Sequence, residues 1–252
     1  MTNRVKMSEA LFKKFVGIFA KNPRYFLLSP QCRREFAQQH FQDRGNPVSV
    51  HGETAEGVMP GTVAHNRIQI DDGTFASAER SLRLINPLAA IGGIFEREHE
   101  KDVLSIGPRT EMELFHLVGA GFHPDRIKAV DLISTSPWID LGDMHALPYA
   151  DKSFDIVISS WVLAYSSTPQ KAMDEMVRVT RNGGLIAIGC TYNPEAASLE
   201  YKTDDAKIQG TKFRSVDQYR ALLGGKLAQI YFQDEPQGNS PGAVIIIARI
   251  KH

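Results

Sequence analysis

The chain has 252 residues, with 29 Lys and Arg against 29 Asp and Glu, so its formal net charge is zero. A neutral chain lacks the positive field expected of a dedicated nucleic-acid binder or of a protein held on an anionic membrane. Its cysteines, Cys32 and Cys190, match no metal-binding or disulfide pattern, and no apolar run is long enough to cross a bilayer. We therefore expect a cytoplasmic protein with no membrane contact, no nucleic-acid partner and no bound metal.

The first part of the chain, residues 1–78, is irregular. Its pattern predicts short helices near 8–20 and 31–41, a stretch dotted with glycine and proline at 45–61, and a strand at 67–70. This part is too polar and broken to build a core of its own. We expect an N-terminal extension that packs on the main domain as a cap over a site.

From residue 79 to residue 252 the pattern changes to alternating strands and helices. Such alternation predicts an α/β domain with an open, doubly wound parallel sheet. No helix separates the last two strands, which predicts an antiparallel hairpin at the C-terminal sheet edge. Strands are predicted at 103–106, 127–131, 154–159, 185–189, 227–232 and 243–250, and helices at 82–95 (interrupted or kinked at Pro87 and at Gly92-Gly93), 111–118, 169–181 and 216–223.

The loop after the first of these strands begins Gly107-Pro108-Arg109-Thr110-Glu111. Gly107 allows a tight turn and the close approach of a ligand, while Thr110 with Glu113 forms a capping-box pattern. Arg109 replaces a glycine of the dinucleotide fingerprint, and acids in the first helical turn compete with a pyrophosphate. The loop thus disfavours a nicotinamide-dependent oxidoreductase, although the acids have an equally good interpretation as ordinary helix-starting residues.

Asp131 ends the second strand, about 20 residues after the glycine loop. A carboxylate at this place accepts hydrogen bonds from both ribose hydroxyls of a nucleoside. Taken alone, the residue has a simpler interpretation as a strand-ending aspartate that caps a turn.

The run from Gly142 to Val157 closely resembles a segment of small-molecule class I S-adenosyl-L-methionine (SAM)-dependent methyltransferases of type 11. The residues 159–163 resemble the loop after the family's fourth strand, and the residues 175–184 resemble its next helix and Gly-Gly turn. The resemblance covers roughly residues 80–250 and is most specific between 142 and 190. It implies a Rossmann-like fold and SAM as the cofactor, with S-adenosyl-L-homocysteine as the product.

The resemblance also implies a set of cofactor contacts. The glycine loop would line the methionine end of SAM, Asp131 the ribose, Asp143 the adenine amino group and the Met144 backbone the adenine ring. Ser159, Ser160 and Trp161 would border the sulfonium and the acceptor. The complete predicted set is Gly107, Pro108, Arg109, Glu111, Asp131, Leu132, Gly142, Asp143, Met144, Ser159, Ser160 and Trp161.

The chain departs from the family at the methionine end and on the adenine side. Ser105 stands where the family usually has an acid, and Arg109 and Glu111 stand where it has glycines. Only residues 132–142 separate Asp131 from Asp143, so we expect the helix that usually lies there to be shortened or missing.

The catalytic candidates are His145, the best general base by its ordinary pKa, and Tyr165. His145 lies on the adenine side, where a structural role is the alternative, and tyrosines at such rims more often form an apolar wall. The leading hypothesis is methyl transfer to a small-molecule acceptor, mainly by positioning. The alternative is a non-catalytic binding or regulatory subunit of methyltransferase-like fold; the acceptor atom and the oligomeric state stay open.

Overall fold

The structure is a computed structural model that describes residues 79–134, 136–192, 194, 213–238 and 240–252. It also describes Gly17, Ala20 and Lys21, which are helical, and the backbone of three short strands, at Ser49–Val50, Tyr201–Thr203 and Ala206–Ile208. The predicted helix at 31–41, the predicted strand at 67–70 and the proposed cap surface lie outside the described residues.

A seven-stranded sheet forms the centre of the domain. The strands are β1 (Ser49–Val50), β2 (Val103–Ile106), β3 (Ile127–Asp131), β4 (Ile133–Ser134), β5 (Asp140–Leu141), β6 (Phe154–Ser160), β7 (Thr180–Tyr192), β8 (Tyr201–Thr203), β9 (Ala206–Ile208), β10 (Leu227–Asp234) and β11 (Gly242–Ile250). The order in the sheet is β10-β11-β7-β6-β2-β3-β5. Strands β7, β6, β2, β3 and β5 are parallel, and β11 is antiparallel to both of its neighbours. This arrangement confirms the predicted α/β doubly wound sheet with an antiparallel C-terminal hairpin.

Within the described part of residues 79–252, four α-helices cover the two faces of the sheet. The helices α1 (Leu82–Ala89) and α2 (Met112–Ala120) pack against each other on one face, and α3 (Pro169–Val179) and α4 (Val216–Leu223) pack together on the other. Each face has its own buried cluster because the β-branched side chains of the parallel strands point alternately to the two faces. Among the described residues, no helix is both long and apolar enough to cross a membrane.

The chain runs outward from β2 to β3 and β5, then crosses over to β6 and β7 on the other side of β2. The strand order therefore reverses between β2 and β6. In open sheets of this kind, ligands bind beyond the carboxyl ends of the strands at such a switch point.

Several element boundaries differ from the prediction. The helix predicted at 82–95 ends at Ala89, and Phe95 is more than half exposed rather than on a buried face. At the predicted turn 182–184 the pairing of β6 with β7 shifts, because Phe154 pairs with Thr180 while Ile156 pairs with Leu185. No helix occurs in the described residues between β3 and β5, as predicted from the short spacing.

Candidate functional site

The loops that leave β2, β3 and β6 meet at the switch point. Ile106, the last residue of β2, pairs with Val130 on one side and with Ser159 on the other. The predicted site residues that follow these strands therefore begin at one edge of the sheet, next to one another.

Gly107 makes the sharpest turn of the site. Its φ is +70°, its N–H donates to the carbonyl oxygen of Val130 at 2.8 Å, and a Cβ added to it would lie 2.6 Å from the Cβ of Val162. No residue except glycine fits here without strain and a clash, because the loop after β6 lies directly against the loop after β2.

Asp131 binds the glycine loop from the neighbouring strand. Its Oδ2 accepts the N–H of Arg109 at 2.8 Å, and its Oδ1 accepts the N–H of Ile133 at 3.4 Å. Arg109 keeps a left-handed backbone, with φ of +61°, where the family has glycine. Burial raises the pKa of Asp131, and each carboxylate oxygen retains a lone pair for a further donor such as a hydroxyl.

The predicted capping box of Thr110 and Glu113 is wrong. Helix α2 starts at Met112, and its N-cap residue Glu111 makes no side-chain capping bond. Glu113 turns into the protein instead, where its Oε1 accepts a hydrogen bond of 2.6 Å from the Ser105 hydroxyl. Burial raises the pKa of Glu113 to about 7. A polar Ser105 within a buried apolar strand was the available sequence signal for such a partner.

The end of β6 contributes two buried serines. Neither Ser159 Oγ nor Ser160 Oγ has a hydrogen-bond partner among the residues that the structure describes. The Ser160 hydroxyl lies near the Glu113 carboxyl, whose pKa it lowers, without reaching hydrogen-bond geometry. Buried hydroxyls of this kind are costly unless a ligand or water satisfies them.

Trp161 follows with a left-handed backbone, φ +61°, and is almost completely buried. Its main-chain N–H donates to the carbonyl oxygen of Gly189 at 2.8 Å, and its indole ring lies against that glycine. The guanidinium of Arg80 lies 5.8 Å from the centre of the ring, a cation–π contact. Sequence reasoning missed Arg80, because only the folded chain brings the start of α1 to the end of β6.

The adenine-side residues form a buried chain of contacts. Oδ1 of Asp143 accepts the main-chain N–H of His145 at 2.9 Å and lies 2.6 Å from its Nδ1. Nε2 of His145 lies 2.6 Å from Ser166 Oγ. Both ring nitrogens are therefore engaged, and His145 is only 2 % exposed, which favours its structural role over that of a general base. Tyr165 is also buried.

Helix α3 holds the same loop from outside. Arg178 donates to the carbonyl oxygens of Leu147 and Tyr149 at 3.0 and 2.8 Å, and Glu175 Oε2 accepts the N–H of Leu147 at 2.7 Å. The hydrogen bond from Arg178 lowers the pKa of Glu175. Side chains of α3 thus hold the loop from Gly142 to Asp151 through hydrogen bonds to one main-chain N–H group and to two main-chain carbonyl oxygens.

The charges at this edge suit a cationic nucleoside. Four buried carboxyl groups lie at the end of β3, in the loops and in the first turn of α2, and the nearby cationic groups are the guanidinium groups of Arg80 and Arg109. A pyrophosphate would meet repulsion, whereas a ligand with an ammonium, a sulfonium and ribose hydroxyls finds acceptors and buried hydroxyl groups. The residues present therefore fit SAM. The carboxyl groups are those of Glu111, Glu113, Asp131 and Asp143.

Comparison with known proteins shows that parts of the chain are similar to methyltransferases. The family model described as "Methyltransferase domain" matches residues 114–188. A demethylmenaquinone methyltransferase of Renibacterium salmoninarum is 49 % identical over 53 residues, which cover 21 % of this chain and 22 % of that protein. A malonyl-[acyl-carrier protein] O-methyltransferase of Halorhodospira halophila is 29 % identical over 131 residues, or 47 % of this chain and 41 % of that protein.

The fold is shared with a solved SAM-dependent methyltransferase of Thermotoga maritima, at a TM-score of 0.50 and 16 % identity, over 74 % of this chain and 98 % of that one. The chain spans less than half the length of the two curated relatives. The family model and the curated relatives show that part of this chain is similar to class I SAM-dependent methyltransferases, and the solved structure shows that the fold is shared.

Proposed function

We propose that this protein transfers a methyl group from SAM to a small-molecule acceptor, mainly by positioning the two reactants. The observation that carries the proposal is the meeting of three loops at the switch point, where Asp131 binds the Arg109 N–H and Gly107 packs against Val162. A nucleoside with positive charge matches the carboxylates gathered there.

The contacts divide along the cofactor. Asp131 and Leu132 would bind the ribose, Gly142, Asp143 and Met144 the adenine, and the loop after β2 the methionine end. Ser159, Ser160 and Trp161 would border the methyl group and the acceptor. The residues of the loop after β2 are Gly107, Pro108, Arg109 and Glu111.

Positioning is the main contribution that the described side chains can make. When bound, SAM supplies a methyl group on a sulfonium leaving group and departs as S-adenosyl-L-homocysteine. Holding two reactants in line lowers the barrier without any proton transfer, and a base is needed only for an acceptor that must lose a proton. Both ring nitrogens of His145 are occupied, so an acceptor that is already deprotonated or carries no acidic proton suits this site best.

Calorimetric titration with SAM and with S-adenosyl-L-homocysteine tests cofactor binding. We expect micromolar affinity for both in the wild-type protein and at least tenfold weaker binding in Asp131→Asn, which loses charge and one acceptor oxygen. Asp125→Asn makes the same change at an exposed position and should leave the affinity unchanged. No binding of either ligand by the wild-type protein would overturn the proposal.

The acceptor class needs a separate test, since the two named relatives methylate different acceptors. The zero net charge supports a small molecule over a nucleic acid. Release of S-adenosyl-L-homocysteine should be measured with panels of phenols, thiols, amines and carboxylates, and with bulk tRNA. Turnover with tRNA alone would contradict the small-molecule acceptor.

A non-catalytic relative remains the second candidate, and Arg109 favours it. This residue keeps the strained left-handed backbone of a glycine while adding a large side chain to the loop that would bind the methionine end. SAM binding without methyl transfer to any acceptor class would support a binding or regulatory subunit.

A further inference from the structure

Glu113 is a buried acid that has no cationic partner among the residues that the structure describes. Its carboxyl lies 2.6 Å from the Ser105 hydroxyl, and the residue is only 5 % exposed. No Lys, Arg or His among the described residues forms an ion pair with it. An unpaired carboxylate at such a depth is expensive, because water no longer solvates the charge.

The carboxyl lies directly beneath the switch point. Ser105 and Ser160 belong to β2 and β6, the two strands between which the strand order reverses, and Glu113 is close to both. Two charged groups on other elements act on it across a longer distance: Arg80 lowers its pKa and Asp131 raises it. The carboxyl is therefore held next to the glycine turn, at the end of the site predicted to receive methionine.

We propose that Glu113 supplies the negative charge that faces the ammonium group of bound SAM, and that it gives up a proton when the cofactor binds. This inference rests on the proposed function. Helix α2 would then provide a carboxylate that strand β2 lacks, since β2 carries only the Ser105 hydroxyl at the adjacent position. A cation brought next to a carboxyl favours its ionised form, so binding and deprotonation are coupled.

Coupling between SAM binding and ionisation of Glu113 makes the affinity for SAM rise with pH. Burial raises the pKa of Glu113 to about 7, so a large share of the protein carries this proton at pH 6.5. Because only the ionised form meets the cation well, affinity for SAM should rise about tenfold between pH 5.5 and pH 7.0. S-adenosyl-L-homocysteine, which keeps the ammonium but lacks the sulfonium, should respond in the same way.

The experiment is calorimetric titration of the full-length protein with SAM and with S-adenosyl-L-homocysteine at pH 5.5 and 7.0. Glu113→Gln, which is isosteric and can still bond to Ser105, should bind both ligands at least fivefold more weakly at pH 7.0 and lose most of the pH dependence. Any dependence that remains in the variant reports Asp131, whose pKa is also raised by burial. Glu96→Gln, the same change at an exposed residue outside the site, should behave as wild type.

The wild-type protein offers a second measurement that no misfolded variant can affect. Titration at pH 6.5 in phosphate and in Tris, whose ionisation enthalpies differ, should reveal release of about three quarters of a proton for each SAM bound. Wild-type binding without proton release, or a folded Glu113→Gln that binds as wild type does, would overturn the role of Glu113 and leave the proposed function intact. Absence of any wild-type binding would overturn both.

Discussion

At the scale of single residues, Glu113 makes the stability of the protein depend on pH. The folded protein holds the Glu113 proton up to a pKa of about 7, whereas the unfolded chain releases it near the ordinary value of 4.5. Between these values the unfolded state binds fewer protons, so stability falls as the pH rises. Replacing Glu113 by Gln removes this loss, and the stability of Glu113→Gln relative to wild type should increase by roughly 2–3 kcal/mol from pH 5 to pH 8.

Urea unfolding at the two pH values measures this difference. Asp131 also has a raised pKa, but it is present in both proteins and cancels from the comparison. Equal responses to pH in wild type and Glu113→Gln would mean that the Glu113 carboxyl is ionised in the folded protein at pH 5.

Gly107 provides a second prediction at this scale. Gly107→Ala forces a side chain into a left-handed backbone, which costs about 1–2 kcal/mol, and against Val162, which adds about 1–3 kcal/mol. Gly238→Ala is the matched control, because Gly238 has nearly the same φ and nothing within 4 Å of an added Cβ. Thermal unfolding should show a loss for Gly107→Ala that exceeds the loss for Gly238→Ala by at least 1 kcal/mol.

The contribution of Val162 can be separated from the backbone strain. In a Gly107→Ala, Val162→Gly double variant the Cβ and both methyl groups of residue 162 are absent, so the clash is removed and the additional loss should shrink toward that of Gly238→Ala. A double variant with two fully additive losses would show that the loops after β2 and β6 are not in contact.

At the scale of elements, helix α3 fixes the loop predicted to bind adenine. Arg178→Met removes hydrogen bonds to the carbonyl oxygens of Leu147 and Tyr149 and leaves Glu175 without its main partner. We expect a loss of about 2 kcal/mol in stability and several-fold weaker SAM binding, because bonds to a charged donor are worth more than neutral ones.

Arg97→Met provides the control for this change. Arg97 forms an exposed ion pair with Glu100 one helical turn away, and such pairs contribute little. The unfolding midpoint should not change measurably in this variant. Weaker SAM binding in Arg97→Met than in Arg178→Met would contradict the role given to helix α3.

The elements that could be predicted from the sequence are those with a long hydrophobic or amphipathic pattern. The mainly apolar runs of β2, β6 and β11 and the amphipathic period of α3 need no tertiary information, and all four were found within a few residues. The two- and three-residue strands β1, β4, β5, β8 and β9 have no period to detect. Their existence depends on which partner strand happens to lie beside them.

Some residues of the candidate site could likewise be predicted from the sequence, and others could not. Gly107 and Asp131 could be placed from the sequence because each directly follows a predicted strand. Glu113 was misinterpreted because its partner, Ser105, is on another element, and a capping pattern four residues long gave the nearer explanation. Side-chain partners that meet only after the sheet is assembled leave no local pattern.

At the scale of the whole molecule, the buried clusters on both faces of the sheet draw their described members from Leu84 to Ile250. The N-terminal part meets this domain in the described residues through β1, whose Ser49 and Val50 pair with Ser134 and Ile133 of β4. The domain boundary after residue 78 stays a prediction.

Removing residues 1–78 tests both the boundary and the cap. Residues 79–252 expressed alone should fold and bind SAM within a few-fold of the full chain, because the candidate cofactor contacts all follow β2. Turnover with a small acceptor should be abolished if the missing segment closes the acceptor side. Unfolding of the shorter chain would contradict the boundary, since the missing segment would then be part of the core. Unchanged turnover would rule out the cap, because the acceptor would be held and shielded from water by the sheet loops alone.

Val50→Pro in the full chain tests whether the cap acts through its pairing with the sheet domain. This variant keeps residues 1–78 but weakens the pairing of β1 with β4, so reduced turnover would trace the cap's effect to those hydrogen bonds.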